Sequence, residues 1–199
     1  MDQNSFALNG RNCSYQFHVD KETGDLITDH FGGLASEVPI VPETGKYVGL
    51  SKSLWYRREY PDLGRGDFRS PAIRIHHDEG HTVSQFQYQN HTIIQGKPRL
   101  QDLPSTFGDD VAVQTLVIHM YDSNSQVGLD LSYSIFPEYD TVARSARVVN
   151  KGTKQITVDK LASFSTDFPN EEYEMIGLRG EWARECSQLR RRVDYGTQG

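Results

Sequence analysis

The chain has 199 residues, with 21 Lys and Arg against 27 Asp and Glu, for a formal net charge of −6. A chain of this length makes one large domain or two small ones and buries about 70% of the surface its unfolded form exposes, so its core needs no metal or disulfide staple. The acidic balance argues against nucleic acid as a partner, since such domains carry a basic face. No apolar run approaches the ~18 residues needed to span a membrane.

The N-terminus, Met1 to Phe6, has neither a basic n-region nor an apolar h-region and does not read as a signal peptide. The segment Phe6 to Gly10 ends in an Asn-Gly turn signal. Asn12-Cys13-Ser14 is an N-glycosylation sequon, and a second follows at Asn90-His91-Thr92, which makes Asn12 and Asn90 candidate acceptors. Cys13 and Cys186 lie near opposite ends; one bridge and two free thiols are both open, and two cysteines are too few for a disulfide framework.

Ser14 to Val19 alternates aromatic or apolar with polar residues and predicts a half-buried strand, with a turn at Lys21 to Gly24. Leu26 to Phe31 is its return strand, broken at Gly32-Gly33. From Leu34 to Tyr56 periodicity is lost, and Val38-Pro39-Ile40-Val41-Pro42 is extended because proline biases its predecessor away from the helical region. A long irregular loop is predicted there. Trp55 closes it; packing beneath the loop is the ordinary role for a tryptophan, stacking on a sugar the functional one.

The next run is the least ordinary in the chain: Arg57-Arg58-Glu59-Tyr60-Pro61-Asp62-Leu63-Gly64-Arg65-Gly66-Asp67-Phe68-Arg69-Ser70-Pro71. Prolines restrict φ and glycines permit what other residues avoid, so a rigid polar corner feeding a sheet is predicted. The ordinary reading has Asp67 and Arg69 satisfying backbone or each other; the functional one has the loop presenting side chains to a ligand or neighbouring domain.

Strands are then expected at Ala72 to His76, Val83 to Tyr88, His91 to Ile94, Val111 to Met120, Val127 to Phe136, Val142 to Val149 and Gln155 to Ser165. The clearest is Val127 to Phe136, with Leu129, Leu131, Tyr133 and Ile135 on one face. Asn150 to Thr153 reads as a hairpin loop joining the last two, closing an antiparallel meander. Tyr173 to Leu178 and the Arg190-Arg191-Arg192 run complete the chain, the latter a solvated strand or turn with acidic neighbours. No amphipathic helix emerges, so the fold class is all-β, a sandwich of antiparallel sheets.

Catalytic patterns are scarce. Asp62 and Asp67 are close in sequence, but a Pro/Gly loop sets no distance between them, and nothing marks a carboxylate pair. Gly64-Arg65-Gly66 lacks the third glycine and the strand–helix context of a dinucleotide fingerprint. His76, His77 and His81 lack the spacing of zinc sites, and adjacent strand residues face opposite ways, so no metal is expected. No cofactor is expected either.

The run Arg58 to Ala72 resembles the N-terminal domain of glycoside hydrolase family 36 α-galactosidases. The likeness continues at Asp29-His30-Phe31-Gly32-Gly33, Gly96-Lys97-Pro98, Leu103-Pro104-Ser105-Thr106-Phe107-Gly108, Asp130 to Phe136, Arg144-Ser145, Asn150-Lys151-Gly152, Asp167-Phe168-Pro169 and Arg179-Gly180-Glu181-Trp182-Ala183-Arg184-Glu185. The set is similar to the fungal branch. The resemblance implies a β-supersandwich akin to galactose mutarotases, incomplete at its C-terminus, with residues 1–199 forming a truncated N-terminal domain. It implies, in cis, a (β/α)₈ barrel in which two aspartates hydrolyse terminal α-D-galactosyl residues of galacto-oligosaccharides and galactolipids with retention. The barrel's signature runs, an Asp-Asp-Gly-Trp and a Lys-Trp-Asp, do not occur here, so this chain alone is expected to be inactive. Members of the fungal branch are often secreted, and some members of the family form homotetramers in which loops of this domain approach a neighbour's active site. Trp55, Asp62, Arg65 and Trp182 are accordingly candidates for lining a sugar rim or an interface. The alternatives are a stand-alone carbohydrate-binding or interaction module, and an aldose epimerase on the same fold, for which no His and carboxylate site can be placed.

Overall fold

The computed structural model describes residues 5–36, 57–67, 69–107, 113–168 and 172–194. The chain divides into two compact units, residues 1–166 and 167–199. Among the described residues no helix is long and apolar enough to cross a membrane.

The first unit opens with a three-stranded sheet of β1 (Ser5–Asn9), β2 (Cys13–Val19) and β3 (Leu26–Gly33), in that order. The turn between β2 and β3 is built by Asp20, whose Oδ1 accepts hydrogen bonds from the backbone N–H groups of Glu22 and Thr23. Gly24 follows with φ +72°, a conformation that suits glycine. A bulge falls in β3, where Gln16 opposes His30 and Phe17 opposes Thr28. The extra residue, Asp29, turns its carboxylate to His18 Nδ1 at 2.8 Å. Gly32 and Gly33 do not break β3; both pair with β2, opposite Ser14 and Cys13.

A four-stranded antiparallel sheet runs in the order β5 (Gln87–Gln95), β6 (Gln114–Asp122), β7 (Val127–Phe136), β8 (Thr141–Asn150). β7 is the centre of the core, with Leu129, Leu131, Tyr133 and Ile135 all buried as their alternation requires. The two sheets share this core: the Phe17 ring of β2 stacks on the Tyr133 ring of β7, centroids 5.0 Å apart. On the other face of the larger sheet Thr115 and Ser134 are buried too, their hydroxyls 2.7 Å apart, and Thr115 also donates to the Gly96 carbonyl. At the β6–β7 turn Asp122 belongs to the strand, and its carboxylate accepts from Asn124 N–H and the Ser125 hydroxyl, an Asx turn.

Two expectations fail for identifiable reasons. Val83 to Phe86 is not a strand: the N–H groups of Gln85 and Phe86 go to the carboxylates of Asp122 and Asp62 instead of to a ladder. The segment after β8 is not its hairpin partner. Asn150 folds the connection on itself, its Nδ2 donating to Lys154 O and its Oδ1 accepting from Gly152 N–H. The chain then crosses to pair β9 (Ile156–Leu161) with β4 (Ile73–His77) in a separate two-stranded sheet. Ile73 and Ile75, both buried, are the core-facing residues of that pair.

The second unit is a hairpin of β10 (Glu174–Arg179) and β11 (Ser187–Arg192). Its arginines are paired along and beside the ladder, Arg190 with Glu174 at 2.9 Å and Arg192 with Glu172 at 3.2 Å.

Candidate functional site

The corner at 57–73 is stitched into its surroundings by backbone. Thr28 N–H donates to Arg57 O and Glu59 N–H to Leu26 O, so this segment extends the edge of β3 by one bridge. Ala72 N–H donates to Pro61 O, and Ala162 N–H to Ala72 O, which joins the corner to the strand pair β4–β9. The Tyr60 hydroxyl donates to the Ala162 carbonyl, and burial pushes that phenol's pKa far up.

Inside the corner three carboxylates meet three guanidinium groups. Arg58, 2% exposed, donates from Nη2 to Asp62 Oδ1 at 2.8 Å and Asp25 Oδ1 at 3.1 Å, and from Nη1 to Asp62 O at 3.2 Å. Asp67 lies 3.7 Å from Arg58 Nη1 and is gripped in bidentate fashion by Arg69, Nε at 2.9 Å and Nη2 at 2.8 Å. Arg65 reaches Asp25 Oδ1 at 3.2 Å and donates to the carbonyls of Thr23 and Phe86. Burial pushes the Asp25 carboxyl up against the pull of Arg58 and Arg65. At Asp67 burial acts the same way, but the hydrogen bonds from Arg69 outweigh it and hold the carboxyl below its ordinary value.

A second network lies deeper. Glu59 is fully buried. Its Oε1 accepts from Tyr15 Oη at 2.6 Å and Tyr133 Oη at 3.1 Å and stands 2.8 Å from Arg144 Nη1; its Oε2 accepts from Thr28 Oγ1 at 2.6 Å. Arg144 also donates to both phenol oxygens and lies over the Tyr133 ring, 4.6 Å from its centroid. Burial and the Glu59 charge drive the Tyr15 and Tyr133 phenols far up, so both stay protonated donors. Pattern reading missed this network. Its one signal was a glutamate within a Pro/Gly-rich corner beside an aromatic-rich strand face.

Of the residues singled out from sequence, Asp62 and Arg65 fall in this corner, and both are engaged by protein. Each Asp62 side-chain oxygen accepts a hydrogen bond, Oδ1 from Arg58 and Oδ2 from Phe86 N–H, and the side chain is 1% exposed. Trp55 lies outside the described residues. Trp182 sits at the tip of the β10–β11 hairpin with 93% of its surface open to solvent. The tip around it is tight: Arg184 N–H donates to Glu181 O, and a side chain at Gly180 would strike Arg184 O at 2.7 Å. Asn12 donates its backbone N–H and its Nδ2 to the two oxygens of Asp140, both at 2.8 Å. Asn90 is exposed on β5. Cys13 and Cys186 are free thiols.

A polar pocket of about 150 Å³ opens where three loops of the first unit meet, between His77, Glu79, His81, Asn124, Gln126 and Lys154. Glu79 and Lys154 are paired across it. His77 Nε2 is 3.0 Å from Ser84 Oγ, and burial lowers the imidazole's pKa, with His81 adding to the effect. His76 faces outward near Asp159, 3.8 Å away. Among the described residues no three His, Cys, Asp or Glu are arranged to hold a metal ion.

The first unit thus carries a charge-saturated corner within an antiparallel sandwich, and comparison with known proteins agrees with that architecture. Residues 24–199 match the glycosyl hydrolase family 36 N-terminal domain. The chain is 55% identical to α-galactosidase 2 of Hypocrea jecorina over 199 residues, 98% of this chain and 26% of that protein. It is 55% identical to a probable α-galactosidase C of Aspergillus oryzae, over all of this chain and 27% of that one. Among solved structures, the α-galactosidase of Lactobacillus brevis superposes with a TM-score of 0.92 at 30% identity, covering 99% of this chain and 28% of that one. A family 36 α-galactosidase variant of Geobacillus stearothermophilus in complex with raffinose gives 0.87 at 30% identity, covering 98% of this chain and 29% of that one. The chain therefore spans about a quarter of the length of the curated relatives it matches, and it belongs to glycosyl hydrolase family 36, within that family's N-terminal domain.

Proposed function

We propose that this chain is the non-catalytic N-terminal sandwich of an α-galactosidase. The whole protein would hydrolyse terminal α-D-galactosyl residues with two aspartates supplied by a barrel in cis. The observation that carries this reading is the end-to-end match to α-galactosidases at 55% identity, with only 26% of the relative's length covered. The saturated corner supports it. A catalytic carboxylate needs access to a substrate oxygen or carbon, and the buried Glu59 and Asp62 spend both oxygens on phenol, hydroxyl, arginine and backbone donors instead, while Asp25 is buried with its Oδ1 held by Arg58.

In this proposal Trp182 is the group that meets a sugar or a neighbouring domain, since its indole is exposed, and Trp55 is assigned the same role. Asp62 and Arg65 brace the corner of the first unit from within, through Arg58, Asp25 and the backbone of Thr23 and Phe86. Assembly into a homotetramer is part of the same reading. The test is an assay of the 199-residue chain with a chromogenic α-galactoside. No turnover is expected. Turnover abolished by a single aspartate substitution overturns the proposal.

A further inference from the structure

We propose that Asn90 is an N-glycan attachment site and that Asn12, the other sequon asparagine, is not. The inference rests on two sequons and their surroundings and is independent of the α-galactosidase reading.

Asn90 lies on β5, the outer strand of the four-stranded sheet. The strand's start is covered, since Tyr88 N–H donates to Gly24 O. From Asn90 onward no strand pairs with its outer edge among the described residues. That stretch, Asn90 to Gln95, contains no lysine, arginine or proline, the usual guards of a bare edge. The middle residue of the sequon, His91, turns to one side: its ring meets Phe6 edge-on at 5.0 Å and its Nδ1 lies 2.8 Å from Tyr88 Oη. Strand alternation then puts Asn90 and Thr92 on the opposite face. There Asn90 heads a row running across the sheet through His119, Asp130 and Arg147. His119 Nδ1 is 2.7 Å from Asp130 Oδ1 and its Nε2 is 3.2 Å from Thr92 Oγ1. A sugar linked to Asn90 would therefore lie over a shelf of hydrogen-bonding groups and shield an open backbone edge.

Asn12 is exposed as well, but it is tied down at both of its donors. Its Nδ2 and its backbone N–H are both spent on Asp140. The corner is so tight that a Cβ at Gly10 would stand 2.4 Å from Asp140 Oδ1. A sugar on Asn12 Nδ2 would leave one N–H for Asp140 Oδ2 and would have to fit beside the carboxylate that both Asn12 donors already hold.

The reaction is a group transfer from a polyprenyl-pyrophosphate-linked oligosaccharide. Asn90 Nδ2 bonds to the anomeric carbon as the bond from that carbon to the pyrophosphate oxygen breaks. One amide proton passes to a base of the transferase, and the lipid pyrophosphate leaves.

The test is expression of the full chain behind a secretory leader in a eukaryotic host, followed by peptide N-glycosidase in ¹⁸O water and peptide mapping. Asn90 is expected as ¹⁸O-labelled aspartate and Asn12 as unlabelled asparagine. Asn90→Gln and Thr92→Ala should each abolish the glycan, and Asn12→Gln should leave it in place. An unmodified Asn90 in the secreted chain, or label at position 12, overturns the proposal. If the chain is retained in the cell, translation with microsomes gives the same reading: one endoglycosidase-sensitive mobility step, lost in Asn90→Gln and in Thr92→Ala. Absence of that step, or its persistence in those variants, likewise overturns it.

Discussion

The Glu59 carboxylate meets the Arg144 guanidinium at 2.8 Å with side chains 0% and 5% exposed, so the corner is joined to β8 of the four-stranded sheet through a buried ion pair. Tyr15 of β2 and Tyr133 of β7 donate to the same Glu59 oxygen. Breaking one side of such a pair leaves an uncompensated buried charge. Glu59→Gln is expected to cost about 3–5 kcal/mol in chemical denaturation, and Arg144→Met a similar amount. The double variant should cost less than the sum, because each single change strands the other partner. Additive losses would show that the pair does not couple.

Asp62 and Trp182 should separate cleanly in stability. Asp62→Asn replaces one carboxylate oxygen with a donor and weakens the bonds from Arg58 and Phe86 N–H. A loss of about 2–3 kcal/mol is expected from hydrogen bonds to a charged group. Trp182→Ala, at a site 93% exposed, should shift stability by less than about 0.5 kcal/mol. Denaturant midpoints of the two variants check both. A large loss in Trp182→Ala would mean that the indole is packed in solution.

His77 sets a pH dependence whose sign is determined. Burial lowers its folded pKa below the ordinary 6.5, so between those two values the unfolded chain binds the proton and the folded chain does not. Stability from this site is therefore complete above about 6.5 and falls as the pH drops towards the folded value. Melting temperatures between pH 7.5 and 5 should decline less in His77→Gln, which keeps a hydrogen-bonding partner for Ser84. Asp67 acts in a lower window. Its folded pKa lies below 3.8, so its contribution is present above that value and is lost only under stronger acid.

Calorimetric titration of the chain with galactose, melibiose or raffinose is expected to give no heat. The saturated corner offers a sugar no unspent carboxylate oxygen at Asp62 or Glu59. A saturable heat would favour a stand-alone carbohydrate-binding module over the scaffold reading.

Local pattern alone carried the strands. Period-two alternation of apolar and polar residues located β2 and β7, but not their burial: Ser14 and Gln16 of β2 and Ser134 of β7 are buried too, so neither strand is half-exposed as its alternation implied. Arg190 to Arg192 read as a solvated run with acidic neighbours, but Glu174 and Glu172, which pair with Arg190 and Arg192, lie 16 and 20 residues away and are brought alongside by the β10–β11 hairpin. Family-like runs of residues, in order, also pointed to the right family. What a linear pattern does not encode is which surfaces meet. The segment after β8 carried strand character, but only the crossing to β4 decided its partner. Val83 to Phe86 looked like a strand, and carboxylates some 24 and 37 residues away claimed the N–H groups of Phe86 and Gln85. Asp62 and Arg65 stood out as charged loop residues open to a ligand; tertiary structure turned both inward, to arginine, carboxylate and carbonyl partners. Burial of a charge depends on finding an opposite charge in space. The sequence names the charges, and only the folded chain brings Arg58 to Asp25 and Glu59 to Arg144.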